Sequence, residues 1–241
     1  MADETHEQRL EKLTQRVAKM LRLAEDAERR GEEAEKIAFQ EKAFEIMAAY
    51  GIDEALARAT QDGLDAKIDA KAASVYIRLS GKYMPMQASL LGTIAKAMHC
   101  EALQLSTRGK ITLRVYGMPD HLERLQTIWE LLQPQALRGI ASAEPPMGYN
   151  HSGELRVYRR NWLAGFGQEI RNRIYKMENA AAAAAGALVL YKSDKERAEL
   201  AMRTDYPKTY QVTSRRRFSA DGYTQGQQAG KSASLNRSVN A

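Results

Sequence analysis

Near its end the chain carries GQQAGKS, residues 226–232, a Gly-Lys-Ser close in composition to the phosphate-binding loop of ATPases and GTPases. That loop needs four residues between its first Gly and the Gly-Lys pair, so that successive backbone N–H groups wrap a phosphate. Here three residues separate Gly226 from Gly230, and the position before Gly226 is Gln225. The loop must also join a buried strand to a helix. The preceding residues instead include Arg215, Arg216 and Arg217. Gly222, Gly226 and Gly230 recur every four residues, with Ala229 and Ala233 alongside. On a helix this spacing puts small residues on one face, where another helix backbone can approach closely. A short packing helix is expected, with Lys231 as a surface charge.

Other catalytic chemistry is hard to assemble. The histidines are His6, His99, His121 and His151, and none lies in a two-histidine metal spacing such as H-E-x-x-H. His99 and Cys100 adjoin at the end of an apolar helical stretch, so their side chains should diverge and serve structure rather than act as nucleophile and base. No catalytic residue, metal site or cofactor is expected, and the reading leans against an enzyme.

Binding chemistry is better supplied. Tyr76, Arg78, Arg114 and Tyr116 alternate with apolar residues in two strand-like segments. On the open face of a sheet, aromatic rings and guanidinium planes can stack single-stranded bases. The same residues also suit an ordinary solvated strand surface. Arg156, Arg159, Arg160, Arg171, Arg173 and Lys176 lie on or beside one helix, and Arg215, Arg216 and Arg217 precede the Gly-rich tail. Such groups either contact phosphates, with salt-sensitive and sequence-blind affinity, or form a solubility belt.

The elements that must position these residues can be read from composition and period. The chain has 241 residues, 44% hydrophobic and 27% charged, enough to bury a real core. Its single cysteine excludes an internal disulfide framework and fits a reducing cytoplasm, and no apolar run or signal-like start suggests a membrane or export. The net charge of +6 hides a split. Residues 1–70 hold 11 Lys+Arg against 17 Asp+Glu, whereas residues 71–241 hold 25 against 13. A basic module of this kind is a candidate for nucleic acid, and the acidic one for a protein partner.

In the acidic part, Leu10, Leu13, Val17, Met20, Leu21 and Ala24 form one helical stripe. Gly31 interrupts it. A second stripe, Ala34, Ile37, Ala38, Phe44, Met47 and Ala48, is expected to end at Gly51 as a C-cap. An acidic helical hairpin over 1–60 and a linker over 61–73 follow from this pattern. The hairpin is too small to stand alone and must dock on something.

These residues also carry a resemblance. VAKMLRLAEDA and EEAEKIAFQEKAFEIMAAYGID resemble the N-terminal module of an uncharacterised bacterial and phage family, domain of unknown function 2786. The matching positions are Lys19, Leu21, Leu23, Ala24, Glu33, Ala34, Ala38, Lys42, Ala43, Met47, Tyr50, Gly51 and Ile52. RRNWLAGFGQEIRNRI, ALVLYKSDKERAEL and GYTQGQQAGKSASL are similar to an uncharacterised companion domain. The resemblance implies a prokaryotic or phage origin and no activity.

Over 74–241 the pattern predicts a basic α+β domain. SVYIRLS alternates as a half-buried strand, MQASLLGTIAKAMH is helical, and EALQLS-TRGK-ITLRVYG is a hairpin turning at Arg108-Gly109. A helix opens at Pro119 and should kink or end at Pro134, a long helix carries Trp162 and Phe166, and ALVLY is a fourth strand. The order is that of a split βαβ, mostly antiparallel sheet packed with several helices. Its first and third strands should be neighbours, with Tyr76, Arg78, Thr112, Arg114 and Tyr116, joined by Gln104 from the second strand, on the face away from the covering helices. The expected function is a non-enzymatic nucleic-acid-binding accessory protein of a phage or mobile element. The alternative is a protein-interaction factor with no nucleic-acid role.

Overall fold

The computed structural model describes residues 6–61, 72–146, 152–185, 188–209 and 217–233. Two helices, α1 (His6–Arg30) and α2 (Glu33–Gln61), form the N-terminal hairpin. Gly31 ends α1 at a φ of 78°, where Gly31 N–H donates to Glu28 O and Glu32 N–H to Ala27 O. This pair of bonds is a Schellman motif, which satisfies the last carbonyls of the helix. Gly51 does not cap α2, which continues to Gln61. The residues beyond it include Ala55, Ala57 and Ala59, strong helix formers whose propensity outweighs one glycine.

The hairpin is docked. Leu13, Val17, Ala43, Met47 and Tyr50 join the same buried cluster as the residues of the C-terminal part, and α2 packs on a later helix, α5 (Ser152–Ala185). Lys36 is buried between the hairpin helices and pairs with Glu28 at 2.8 Å and Glu33 at 3.4 Å.

The C-terminal part is an α+β fold around β1 (Ala73–Leu79), β2 (Glu101–Thr107) and β3 (Lys110–Gly117), in the order β1-β3-β2 with both pairings antiparallel. α3 (Met84–Ala97) connects β1 to β2 and leaves β3 between them, the split βαβ arrangement. The β2–β3 turn is Arg108-Gly109, with positive φ at both residues, as a type I′ turn requires. Val75, Ile77 and Leu79 share a face with Ile111, Leu113 and Val115, and α3 and α4 (Pro119–Ser142) cover that face.

Two expectations for the helices are corrected. α4 does not end at Pro134 but continues past it to Ser142, with Pro134 exposed and Ala136 and Ile140 beyond it buried. Proline removes one backbone bond, but core packing on both sides of it holds the turn together. Leu188–Tyr191 is no fourth strand; it opens helix α6 (Leu188–Asp205). A short apolar run has no period that separates strand from buried helix, and here the helical stripe continues with Asp194, Ala198 and Met202.

The tail forms α7 (Ala220–Lys231), capped by Ser219, whose hydroxyl accepts from Gly222 N–H at 3.2 Å. α7 lies against α5 at very short range. A methyl group at Gly226 would collide with the Trp162 carbonyl, one at Gly222 with the Tyr158 carbonyl, and one at Gly230 with the Phe166 carbonyl. From the other side, a methyl at Gly165 would strike the Tyr223 carbonyl. The glycines that imitate a phosphate loop are therefore closed against a helix backbone, and Lys231 is an exposed charge.

Candidate functional site

The sheet face proposed for base stacking is occupied. Tyr76 lies opposite Arg114, and Tyr116 lies two residues along the same strand as Arg114. Side chains directly opposite in an antiparallel pair share a face. By the same rule Leu103 and Leu105 join this face from β2, opposite Arg114 and Thr112, whereas Gln104 pairs with Leu113 on the other side. The second strand thus contributes leucines where Gln104 was expected. α6 packs over β2 and β3 on this face.

The end of α6 consumes the polar groups there. Asp205 pairs with Arg114 at 2.5 Å and accepts from the Tyr116 hydroxyl at 3.1 Å. The Arg114 guanidinium carbon lies 5.2, 4.9 and 5.7 Å from the ring centroids of Tyr76, Tyr116 and Tyr206. Such a cage satisfies the cation internally. Tyr116 is only 2% exposed, and burial together with the bond to Asp205 pushes its hydroxyl pKa up. It has no ring face to offer a base in this arrangement. Tyr76, 57% exposed, and the exposed Arg78 remain open at the β1 edge.

The helix arginines divide into two groups. Arg173 is turned inward: its guanidinium donates to Gly230 O at 2.9 Å and Ala233 O at 3.1 Å, and burial pulls its pKa down. A cation at the C-terminal end of α7 complements the helix dipole, so this arginine works in packing. Arg159 donates to the Tyr83 hydroxyl at 3.0 Å, and Arg160 to the Arg217 carbonyl. Arg156, Arg171 and Arg217 are exposed. Arg215 and Arg216 lie outside the described residues.

Arg156, Arg160, Ala164, Gly167 and Arg171 fall within about 80° of one another around α5, given 100° per residue. Between Arg160 and Arg171 the stripe borders a half-open cavity of about 180 Å³, set between α3 and α5. Met86, Leu90 and Leu163 give it apolar walls, and Ser89, Thr93 and Asn161 give it polar groups. Asn161 donates from its amide nitrogen to Val157 O at 2.8 Å and Arg217 O at 3.5 Å, which holds Arg217 beside the same end of the cavity. No acidic residue occurs in α3, and none occurs on the arginine stripe.

A second constellation went unread in the sequence. Asp120, His121 and Arg124 of α4, Glu178 of α5 and Asp194 of α6 are all buried, with His99 beside them. The Arg124 guanidinium donates to the Glu178 carboxylate. His121 Nε2 lies 3.1 Å from Asp194 Oδ2, and its Nδ1 lies 3.4 Å from an Arg124 nitrogen. A guanidinium can only donate, so Nδ1 accepts and Nε2–H donates to Asp194. In an open cleft a His–Asp dyad would be general-base equipment. Here His121 is sealed from solvent, and the cluster ties the ends of α4, α5 and α6 together. Among the described residues no group of three or more His, Cys, Asp or Glu is placed to hold a metal ion. The available signal was the position of His121 and Arg124, seven and four residues before the core residue Ile128 on the same side of α4.

His99 and Cys100 behave as buried groups. Burial pushes the Cys100 thiol up to about 12 and leaves it a poor nucleophile at neutral pH. Burial, reinforced by the electrostatic influence of the neighbouring His121 and Arg124, pulls His99 down to about 3 from 6.5. Asp194 opposes this, Lys195 adds to it, and Glu178 Oε2 stands 3.9 Å from the ring. The unfolded chain binds a proton that the native state refuses, so this part of the stability is complete above about pH 6.5 and is lost as pH falls toward 3. The slope should reach about 1.4 kcal/mol per pH unit. His99→Asn should flatten it in acid urea titrations, because Asn tolerates the backbone at φ 58° and does not titrate there.

Comparison with known proteins adds one match. Residues 12–54 match the family described as Protein of unknown function (DUF2786). This DUF2786 span takes in most of α1 and the larger part of α2, and coincides with the stretch whose resemblance was read in the sequence. The arginine stripe and the buried cluster lie outside it. No curated protein matches the chain, and no solved structure matches it.

Proposed function

We propose that the protein binds nucleic acid without catalysing its conversion, as an accessory factor of a phage or mobile element, and that the arginine stripe of α5 is the contact surface. The observation that carries this reading is the alignment of Arg156, Arg160 and Arg171 on one side of α5, with Arg160 lining a groove whose facing helix, α3, contains no acidic residue. From Arg156 to Arg171 the helix rises about 22 Å, enough to follow several consecutive phosphates. Arg217, exposed and held by its carbonyl to Arg160 and Asn161, extends the positive surface beside it. Each phosphate contact releases condensed counterions, so affinity should be strongly salt-dependent. The sheet face is a lesser contributor, through Tyr76 and Arg78 at its open edge.

Fluorescence anisotropy with labelled single- and double-stranded oligonucleotides at two salt concentrations tests the reading. Binding at low salt that weakens steeply at the higher concentration is the expected result. Absence of binding at low salt would contradict it and turn the search toward an acidic protein partner.

A further inference from the structure

We propose that the α3–α5 cavity is a nucleobase pocket, which takes one unstacked base of a single strand while the arginines on either side of it hold the flanking phosphates. This rests on the nucleic-acid reading above and names the part of the ligand that the groove selects. Three observations point to it.

The first is size. A dry cavity of about 150 Å³ accommodates benzene, so the 180 Å³ here suits one heterocycle and is too small for a folded peptide segment. The second is the chemistry of the wall. Met86, Leu90 and Leu163 offer apolar contact to the faces of a ring. Ser89 offers a hydroxyl, and Asn161, its amide nitrogen already engaged with Val157 and Arg217 carbonyls, offers its side-chain oxygen to a ring N–H or amino group. Flipped bases are held by this combination of apolar contact and edge hydrogen bonds. The third is the placement of charge. Arg160 lines the cavity itself, Arg156 lies one turn before it and Arg171 one turn beyond Gly167, so a backbone crossing the mouth meets a cation on both sides. A duplex keeps its bases stacked inside and cannot use the pocket.

The test uses the full-length protein and three probes: a short single-stranded DNA, the same length of abasic sugar-phosphate strand, and the matching duplex. Wild type should bind the base-bearing strand about tenfold more tightly than the abasic one, as expected for one base contact. Ala164, exposed at the cavity wall, can be enlarged without touching a charge. Ala164→Phe should erase the tenfold preference and leave the salt slope as in wild type. Ser89→Phe plugs the cavity from α3 and serves if the first variant melts early. Equal wild-type affinity for base-bearing and abasic strands would overturn the pocket while the phosphate-binding reading stands. So would a preference that survives in a folded, plugged variant. Failure of wild type to bind any of the three probes would overturn both.

Discussion

Gly226→Ala is expected to detach α7 from α5 and to cost about 3 kcal/mol or more, a large loss for one methyl group. In an exposed helix the same change should stabilise by about 0.5–1 kcal/mol, because alanine gives up less backbone freedom on folding. The sign of the effect therefore reports the packing. Gly226 is buried, and an added methyl would overlap the Trp162 carbonyl, a backbone atom that cannot swing aside. Relief requires α7 to move away along its whole length, because Gly222 and Gly230 make the same kind of approach one turn to either side. That movement would also withdraw the Gly230 and Ala233 carbonyls from Arg173 and leave a half-buried guanidinium without those acceptors. For a chain of this size the melting temperature should fall by about 6–12 °C. Gly153, in the first turn of α5 with open space where a methyl would be, is the control: Gly153→Ala should hold or raise the melting temperature. A Gly226→Ala protein as stable as wild type would show that α7 is not packed as described.

Breaking the Arg124–Glu178 pair is expected to cost about 3–5 kcal/mol. Both side chains are almost wholly buried, so the loss is not the small sum expected of a surface ion pair. Glu178→Gln would leave the Arg124 charge sealed in the protein with its principal counter-charge removed. Arg124→Leu would strand Glu178, whose second oxygen stands 3.9 Å from His99 Nε2. Removing both charges together, in Arg124→Leu with Glu178→Leu, should cost much less than the two single changes added. A coupling of about 2–3 kcal/mol in urea unfolding is expected from the cycle. Singles that each cost less than about 1 kcal/mol, or that simply add, would mean that the cluster is hydrated and does not clamp α4, α5 and α6.

The contrast between what was legible in the sequence and what was not has local causes. The strand alternation in SVYIRLS and ITLRVYG, the Arg108-Gly109 turn and the glycine repeat of α7 are short-range signals, and each appears where the residues predict it. The split βαβ core follows from them, because a helix between two strands and a tight hairpin leave few topologies. Leu188–Tyr191 misled because a run of four apolar residues fits a buried helix as well as a strand. The sheet face misled for a reason of longer range. Nothing near Arg114 or Tyr116 in sequence foretells that Asp205, far along the chain, will reach both of them. Arg173 and Arg171 differ by half a turn, yet one caps α7 and the other faces solvent; only the position of α7 decides which. The cavity between α3 and α5 needs the crossing of two helices that the sequence separates by two strands and a helix.

The most direct measurement is the slope of log binding constant against log salt for a single-stranded oligonucleotide, compared between wild type and Arg156→Gln with Arg171→Gln. Both arginines are exposed, and neither holds a backbone carbonyl in place as Arg160 does. Each lost phosphate contact on a single strand should reduce the slope by about 0.7, so the double variant should lose about 1.4 while melting like wild type. A double variant that binds with the wild-type slope would contradict a contact surface on α5, the more so if Tyr76→Ala at the sheet edge abolished binding instead.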